Sequence, residues 1–243
     1  MRDRSSEIIK VGNWHVLSCD TSVHGRDICH WPKEKVIWQN KKTPDQIYRG
    51  TDLLSFIRAH TKHRGGIYVD CGASYGFTSY PLASNFHTVY SFEPFKPVFD
   101  CLQLNTIDAQ NIHCFNFALS NELKTEQAIF RPTNTMISSL SETPRDAIAQ
   151  RPDHPQFEHH MVTSIALDSM IKRPVNVIKV DVEGSELKLL QGALNLLTMS
   201  TALVIVEQLD HNNNDVELLM RDHGYHLTDV MFMNDFVYKK TKL

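Results

Sequence analysis

The chain has 243 residues, of which 42% are hydrophobic and 22% are charged, and its formal net charge is −3. This composition is that of a globular domain and excludes a globally disordered chain. Because 25 basic residues stand against 28 acidic ones, it also argues against non-specific nucleic-acid binding, which needs a clearly basic surface.

Residues 1–60 are predicted to form an N-terminal arm, or extension, that packs on the core. Within it, residues 8–18 have the pattern of a short β-hairpin, and residues 50–60 that of a helix beginning at Thr51 or Asp52. The first ten residues lack the apolar core of a secretory signal, and no apolar run is long enough to span a bilayer. The five cysteines are scattered and form no C-x-x-C pair, which predicts reduced thiols. We therefore expect a cytoplasmic protein without a membrane span.

From residue 61 to residue 243, short apolar runs alternate with segments of helical periodicity. This part is predicted to be one domain, with a polar insertion or lid at about 131–160, where a long polar stretch is rich in proline. Strands are predicted at 66–71, 88–94, 112–120, 175–180 and 202–208, and helices at 75–85, 94–108, 185–197 and 214–224.

The alternation of strands and helices predicts an α/β fold, a doubly wound and mostly parallel sheet with helices on both faces. The runs at 175–180 and 202–206 are apolar on both faces, as strands of such a sheet must be. Residues 225–240 are typical of a hairpin, so we expect the sheet to end antiparallel. Ligands of these folds bind beyond the carboxyl ends of the strands.

A turn rich in glycine follows the first of these strands. Asp70 ends the strand, and Gly72 and Gly76 come directly after it. A glycine there lets the backbone turn tightly and approach a ligand. The spacing fits neither the dinucleotide fingerprint nor a P-loop. The alternative is a purely structural turn between strand and helix.

Glu93 ends the next strand, roughly 20 residues beyond the glycine turn. In ribose-binding α/β folds an acid at this place accepts hydrogen bonds from the sugar hydroxyls, each contributing about 1.5–3 kcal/mol. Taken alone, Glu93 could equally be a solvated acid. The two strand ends together favour a ligand that carries a ribose and a charged tail.

At this point the sequence resembles the FkbM family of S-adenosylmethionine-dependent methyltransferases. The resemblance covers residues 66 to about 225, and its most specific part is the segment IKVDVEGSE followed by the letters LQGA. Where the family usually has Gly-Ala-Asn in the glycine turn, this chain has Ser74 after Gly-Ala. The resemblance rests on these segments in order: VDCGASYGF, SFEPFKPVFDCLQLN, NFALS, VTSIALDSM, NVIKVDVEGSELKLLQGA and LVIVEQ.

The resemblance implies a class I methyltransferase fold, which is Rossmann-like and has a seven-stranded sheet with an antiparallel last strand. It also implies S-adenosyl-L-methionine as cofactor. The glycine turn would then hold its amino-acid end, Glu93 its ribose, and residues 116–120 would border its adenine. The implied cofactor-binding residues are Asp70, Gly72, Ala73, Ser74, Tyr75, Gly76, Glu93, Pro94, Asn116, Ala118, Leu119, Ser120 and Asp181.

The segment from Lys179 to Glu183 offers groups for catalysis. Alternate residues of a strand share a face, so Lys179, Asp181 and Glu183 are predicted to project together. Asp181 or Glu183 is the candidate base or substrate anchor, and Lys179 its electrostatic partner. Glu207, at the end of the neighbouring strand, could join them. The alternative is a structural Lys179–Asp181 ion pair with Glu183 as a helix cap.

No metal site is predicted. The candidate histidines lack the spacing of a helical ligand pair and are expected to be solvated; they are His154, His159, His160 and His211.

The sequence therefore predicts a methyltransferase that methylates a hydroxyl oxygen on a sugar or another small metabolite. The expected partner is that small hydroxylated acceptor, with no nucleic acid. Two alternatives stay open: a nucleoside-cofactor-binding module without transfer activity, and a nicotinamide dehydrogenase, which the glycine spacing disfavours.

Overall fold

The computed structural model describes residues 7–11, 14–17, 52–61, 65–131, 158–208, 214–231 and 234–240, and the single positions 135, 138 and 140. No helix within these residues is both long and apolar enough to cross a membrane. The central part of the predicted insertion, including His154, and the position of His211 lie outside the described residues.

The described residues contain twelve strands and seven α-helices, with a 3₁₀ turn at Ala83–Asn85. The strands are β1 (Ile8–Val11), β2 (Trp14–Leu17), β3 (Ile67–Cys71), β4 (Thr88–Phe92), β5 (Ile112–Phe115), β6 (Ala118–Leu119), β7 (Lys124–Phe130), β8 (Glu158–Ile165), β9 (Val177–Val180), β10 (Leu203–Glu207), β11 (Tyr225–Met231) and β12 (Asp235–Lys240). The helices are α1 (Asp52–His60), α2 (Ser79–Leu82), α3 (Lys96–Thr106), α4 (Leu167–Met170), α5 (Glu186–Gln191), α6 (Leu194–Met199) and α7 (Asp215–Asp222).

Seven strands form the main sheet in the order β11-β12-β10-β9-β3-β4-β5. The neighbouring pairs from β10 to β5 are parallel, whereas β12 runs antiparallel to both β10 and β11. The predicted fold class, a mostly parallel seven-stranded sheet with an antiparallel last strand, is therefore confirmed. Because crossovers place helices on the two faces, the central strands are buried on both sides.

Each face of the sheet has its own hydrophobic core, because successive side chains of a strand point to opposite faces. Tyr68 and Val177 belong to one core, which also takes in α1, β2 and α3. Val69 and Ile178, the next residues along the same strands, belong to the other, which includes helices α5 to α7. All five residues of β3 are buried, so this strand lies at the centre of both cores.

The β1–β2 hairpin packs on the first core. Trp14 is completely buried and meets the ring of Phe77 edge to face, with 4.7 Å between the ring centroids. The buried side chain of Asn105 in α3 joins the hairpin to the turn after β3. Its Oδ1 accepts from the backbone N of His15 at 2.6 Å, and its Nδ2 donates to the carbonyl oxygens of His15 and Tyr75, each at 2.9 Å. This one amide therefore connects three backbone segments.

The strand predicted at 112–120 is in fact two strands that belong to different sheets. Strand β5 is the edge of the main sheet, while β6 pairs with β8 in a separate three-stranded sheet of order β6-β8-β7. Because β8 begins at Glu158, the last three residues of the predicted insertion are strand rather than loop. The change of sheet takes place at residues 116–117, which belong to neither strand, and periodicity does not reveal it.

The helix predicted at 185–197 is interrupted. It forms α5 and α6, which are separated at Gly192 and Ala193. A Cβ atom at Gly192 would lie 2.0 Å from the carbonyl oxygen of Ser120, so the break allows the chain after β6 to pass close to the helix. The helix predicted at 75–85 is also shorter than expected, since α2 is a single turn and contains Pro81.

Replacement of Asn105 by Ala tests the junction between the hairpin and the glycine turn. We expect the free energy of unfolding to fall by about 2–4 kcal/mol, because three buried backbone groups lose their partner. Chemical denaturation measures this change.

Gln103→Ala is the matched control, because Gln103 is exposed on the same helix and its removal should change stability by no more than about 0.5 kcal/mol. Equal losses in the two variants would show that Asn105 does not hold the junction.

Candidate active site

The turn between β3 and α2 lies at the carboxyl edge of the main sheet, where β4 and β9 flank β3. The backbone N–H groups of Gly72 and Ala73 both donate to the carbonyl oxygen of Phe92, at 3.1 and 2.9 Å. On the other side, the N–H of Asp181 donates to the carbonyl oxygen of Cys71 at 3.1 Å. The turn is thus fixed between the ends of both neighbouring strands.

Gly72 is required by the protein's own backbone. Its φ is +80°, and a Cβ atom there would lie 1.8 Å from the carbonyl oxygen of Asp181. The close approach that requires this glycine is to the end of β9, and its contact with a cofactor stays a prediction. Gly76 has φ +88°, and a Cβ atom there would lie 2.9 Å from Leu102.

Ser74 also has a left-handed backbone conformation, with φ +49°. Non-glycine residues adopt this region at a cost, and Asn tolerates it better than most. This gives a physical reason for the Asn that the FkbM pattern usually has at the position. The neighbouring side chains of Ala73 and Tyr75 are buried in the core. Their contribution to any ligand contact at this edge is therefore limited to their backbone.

Asp70 is fully buried at the end of β3. Its Oδ2 accepts from the hydroxyls of Thr78 and Ser79, both at 2.5 Å. Its Oδ1 has no hydrogen-bond partner among the described residues and lies 4.0 Å from Nζ of Lys179. Burial raises the pKa of Asp70 above its usual value, and the Lys179 ammonium and the two hydroxyls oppose that rise.

Glu93 and the glycine turn lie in direct contact. Oε2 of Glu93 accepts from the N–H of Ser74 at 3.0 Å, and Oε1 accepts from the N–H of Phe95 at 3.0 Å. Burial raises the pKa of Glu93 to about 7, although these two backbone hydrogen bonds favour the ionised form. A carboxylate can accept about four hydrogen bonds, so Glu93 retains acceptor capacity for a ligand hydroxyl.

Of the residues predicted to border the adenine, some lie beside the candidate site and others pack in the cores. The side-chain amide of Asn116 donates to the carbonyl oxygens of Glu93 and Pro94, each at 2.9 Å, and so fixes the backbone that carries Glu93. Ala118 and Leu119 follow in the second sheet and Ser120 comes directly after them; all three are buried. Asn116 therefore lies beside the candidate site, whereas the side chains of Ala118 and Leu119 pack in the cores.

Lys179 and Asp181 lie together, as predicted from their positions in the chain. Nζ of Lys179 is 2.7 Å from Oδ2 of Asp181. Burial alone would lower the pKa of Lys179, but the carboxylates of Asp181 and Asp70 outweigh this effect and raise it. The lysine therefore remains charged.

Asp181, Glu183 and Glu207 form what we call the acidic cluster. Their side chains each bring a carboxylate oxygen within 4.8 Å of the others, and all three residues are half-buried. Glu183 reaches the cluster from a left-handed backbone conformation with φ +56°, beyond the end of β9. The proximity of Asp181, burial and Glu183 together raise the pKa of Glu207 to about 10.

Two further acids at this edge were missed from the sequence. Asp235 begins β12 directly opposite Glu207, and burial raises its pKa to about 6, with Asp181 adding to the rise. Glu186 accepts from the N–H of Gly184 at 2.8 Å. The N-cap position of α5 is Ser185, so the capping role considered for Glu183 is not observed. The sequence carries no signal for Asp235, because its position opposite Glu207 is fixed by the pairing of β12 with β10.

Two of the candidate histidines lie in β8, within the described residues. His159 is exposed, as expected for a solvated side chain. His160 is half-buried; its Nε2 lies 2.9 Å from Glu158, and its ring packs edge to face against Phe130. The prediction that it is solvated is therefore wrong.

The arrangement fits a nucleoside cofactor with a charged tail. Glu93 offers a buried carboxylate beside the turn, and Asp70 Oδ1 is a buried acceptor without a hydrogen-bond partner among the described residues. Asp181 stands beside the same turn with a partly exposed carboxylate. The residues that could hold the ribose and the amino-acid end therefore converge at one edge.

A family model described as the methyltransferase FkbM domain matches residues 70–227 of the chain. The match covers more than half of the chain. It includes the glycine turn, Glu93 and the acidic cluster.

Solved structures give a second comparison. The FkbM methyltransferase of Methylobacillus flagellatus KT matches with a TM-score of 0.51 at 16% identity, over 82% of this chain and 55% of that one. This chain thus spans little more than half the length of that protein, and the likeness shows a common fold.

Two more solved structures match less closely. Precorrin-6y C5,15-methyltransferase of Geobacter metallireducens GS-15 has a TM-score of 0.49 at 9% identity, with 87% of this chain and 100% of that chain covered. Magnesium protoporphyrin IX methyltransferase of Synechocystis PCC 6803, with bound SAM, has a TM-score of 0.47 at 11% identity, with 91% and 98% covered. A search of curated protein sequences finds no significant match.

Gly72→Ala tests the close approach between the turn and β9. The added methyl group would collide with the Asp181 carbonyl oxygen, so we expect the free energy of unfolding to fall by at least about 3 kcal/mol. Thermal or chemical denaturation measures it.

Gly224→Ala is the matched control. Gly224 has nearly the same φ, +81°, but the nearest atom to a Cβ there is 4.0 Å away. The free energy of unfolding of this variant should fall by only about 1–2 kcal/mol, the cost of a left-handed backbone conformation for alanine. If both variants lose the same amount, the collision at Gly72 does not matter.

Proposed function

The chain belongs to the FkbM methyltransferase domain family, and from this premise we propose that it transfers a methyl group from S-adenosylmethionine to a hydroxyl oxygen of a sugar or another small metabolite. The observation that carries the proposal is the 3.0 Å contact between Glu93 Oε2 and the N–H of Ser74. This contact joins the glycine turn to the acid that we assign to the ribose.

The cofactor supplies an activated methyl group when it is bound, so the protein's task is to bind and orient the reactants. We assign the ribose hydroxyls to Glu93, whose carboxylate is held in place by the amides of Ser74 and Phe95. We assign the positively charged amino group to Asp70, in the strand that leads into the glycine turn, and to Asp181, whose backbone N–H donates to Cys71.

An alcohol must lose its proton when its oxygen is methylated. We assign this proton to Asp181 or Glu183, which lie beyond the end of β9 next to the glycine turn. Lys179 keeps Asp181 ionised through the 2.7 Å ion pair. A placed base of this kind contributes about 10²–10⁴-fold to the rate.

Calorimetry with S-adenosylmethionine, followed by a turnover assay, tests the function. The assay measures S-adenosylhomocysteine formation with a panel of methyl glycosides and other small polyols as acceptors. Binding together with turnover supports the proposal. Tight binding without turnover on any acceptor would favour the cofactor-binding module instead, and NADH binding would favour a dehydrogenase.

The affinity for S-adenosylmethionine should depend on the ionisation of Glu93. The ribose hydroxyls donate to the ionised carboxylate, whose pKa is about 7 in the free protein. Protonation below that pH removes an acceptor, so affinity should rise with pH. We expect binding to be about tenfold tighter at pH 8 than at pH 6, measured by calorimetry.

Glu93→Gln is the control for this pH dependence. It should bind the cofactor at least about tenfold more weakly, because charge-assisted hydrogen bonds are lost, and it should show no such pH dependence. The assignment of Glu93 to the ribose fails if the variant keeps the wild-type affinity.

Asp181→Asn and Glu183→Gln, made singly, identify the base. The variant that lacks the base should lose about 10²–10⁴-fold in turnover while its affinity for S-adenosylmethionine changes much less. Asp222→Asn removes one charge from an exposed position of α7 and controls for net charge. Unchanged turnover in both variants would remove the base from the mechanism.

A further inference from the structure

The carboxyl ends of β9 and β10 bring more acids together than the nearby positive charge can balance. Carboxylate oxygens of Asp181, Glu183 and Glu207 lie within 4.8 Å of one another. Asp235 adds a fourth carboxyl group, because it pairs with Glu207 across the antiparallel β10–β12 register. These groups come from three chain segments that meet at one edge.

Lys179 is the cation that the described residues bring to this cluster. Its Nζ is 2.7 Å from Asp181 and 4.0 Å from Asp70, so two carboxylates already share its charge. Glu207 is opposed by Asp181 and Glu183 and draws only a smaller compensation from Lys179. Adjacent carboxylates in a half-buried site cannot all stay ionised, and one of them retains a proton.

We propose that Asp181 and Glu207 share one proton at neutral pH, and that Glu207 is an uncharged positioning residue for the Asp181 carboxylate. The positioning role of Glu207 rests on the proposed function, which is where Asp181 receives its own role. Glu207 donates a hydrogen bond to Asp181, which fixes the orientation of that carboxylate and removes the repulsion between the two groups. The pair keeps one negative charge. It can therefore accept one further proton, the one that an acceptor hydroxyl loses.

The contacts of the cluster favour Glu207 over Asp181 and Asp235 as the group that holds the proton. Asp181 is stabilised in its charged form by the direct contact with Lys179. Glu207 ends β10, which lies between β9, followed directly by Asp181, and β12, which begins at Asp235. The direction of the pKa shifts agrees, since the pKa is raised to about 10 for Glu207 and only to about 6 for Asp235.

The proton can be detected through the pH dependence of stability. The unfolded chain ionises Glu207 near pH 4.5, while the folded protein keeps it protonated until about pH 10. Raising the pH between these values therefore favours unfolding. We expect the unfolding equilibrium constant of the wild type, relative to Glu207→Gln, to rise by up to about tenfold per pH unit from about pH 5 to about pH 9.

Glu207→Gln is the informative variant because its amide N–H₂ can donate to Asp181 as the protonated acid does. Both proteins contain the other titrating groups of this edge, Asp70, Glu93, Asp181 and Asp235, so the difference between them reports the proton that Glu207 shares with Asp181. Glu207→Ala removes the donor and should be less stable than Glu207→Gln at neutral pH. Infrared difference spectra at pH 7 should show a protonated carboxyl band in the wild type that Glu207→Gln lacks.

Three results would overturn the proposal: parallel stability profiles for the wild type and Glu207→Gln, no difference in the carboxyl band, or equal stability of the Gln and Ala variants at neutral pH. Stabilisation of the wild type by Mg²⁺ that Glu207→Gln abolishes would also overturn it, because a cation would then occupy the cluster. None of these measurements needs cofactor or acceptor. If these measurements contradict the shared proton while S-adenosylmethionine binding and turnover are normal, the proposed function stands. If they support the shared proton while binding and turnover are absent, only the proposed function is removed.

Discussion

The absence of a side chain at Gly72 is the constraint on which the candidate active site depends. With φ +80° and the Asp181 carbonyl oxygen within 1.8 Å of a would-be Cβ, this position admits only glycine. The close approach lets the end of β3 lie between the ends of β4 and β9. As a result the N–H of Ser74 reaches Glu93 on one side, and Asp181 follows directly on the other. One missing methyl group thus places a carboxylate on each side of the same turn.

Much of this arrangement could be predicted from the sequence, because it follows from local patterns. Buried apolar runs identify the central strands, and parallel strands bring their carboxyl ends to one edge. Asp70, Glu93 and Asp181 therefore had to lie near one another once the order of strands was known. The β1–β2 and β11–β12 hairpins were also readable, since alternation over short segments is their signature.

What could not be predicted depends on contacts between distant segments. The interruption of the helix at Gly192 is explained by the Ser120 carbonyl oxygen, which comes from the segment directly after β6. The amide of Asn116 binds the backbone of Glu93 and Pro94, a role that no spacing in the sequence indicates. Asp235 joins the acids because β12 inserts between β10 and β11, and that register is fixed by tertiary pairing.

The carboxyl edge keeps several buried acids by three different physical means. Asp70 has two hydroxyl donors and a nearby ammonium, and Glu93 has two backbone amides. Lys179 compensates the charge of Glu207 only in part, and in our proposal a proton neutralises it. Each means gives a different response to pH, so the negative charge of this edge increases in steps as the pH rises. A sulfonium donor carries a positive charge, so the negative potential that these acids set at the edge favours its binding. This attraction is strongest at a pH at which Glu93 is ionised and Lys179 still holds Asp181 in place.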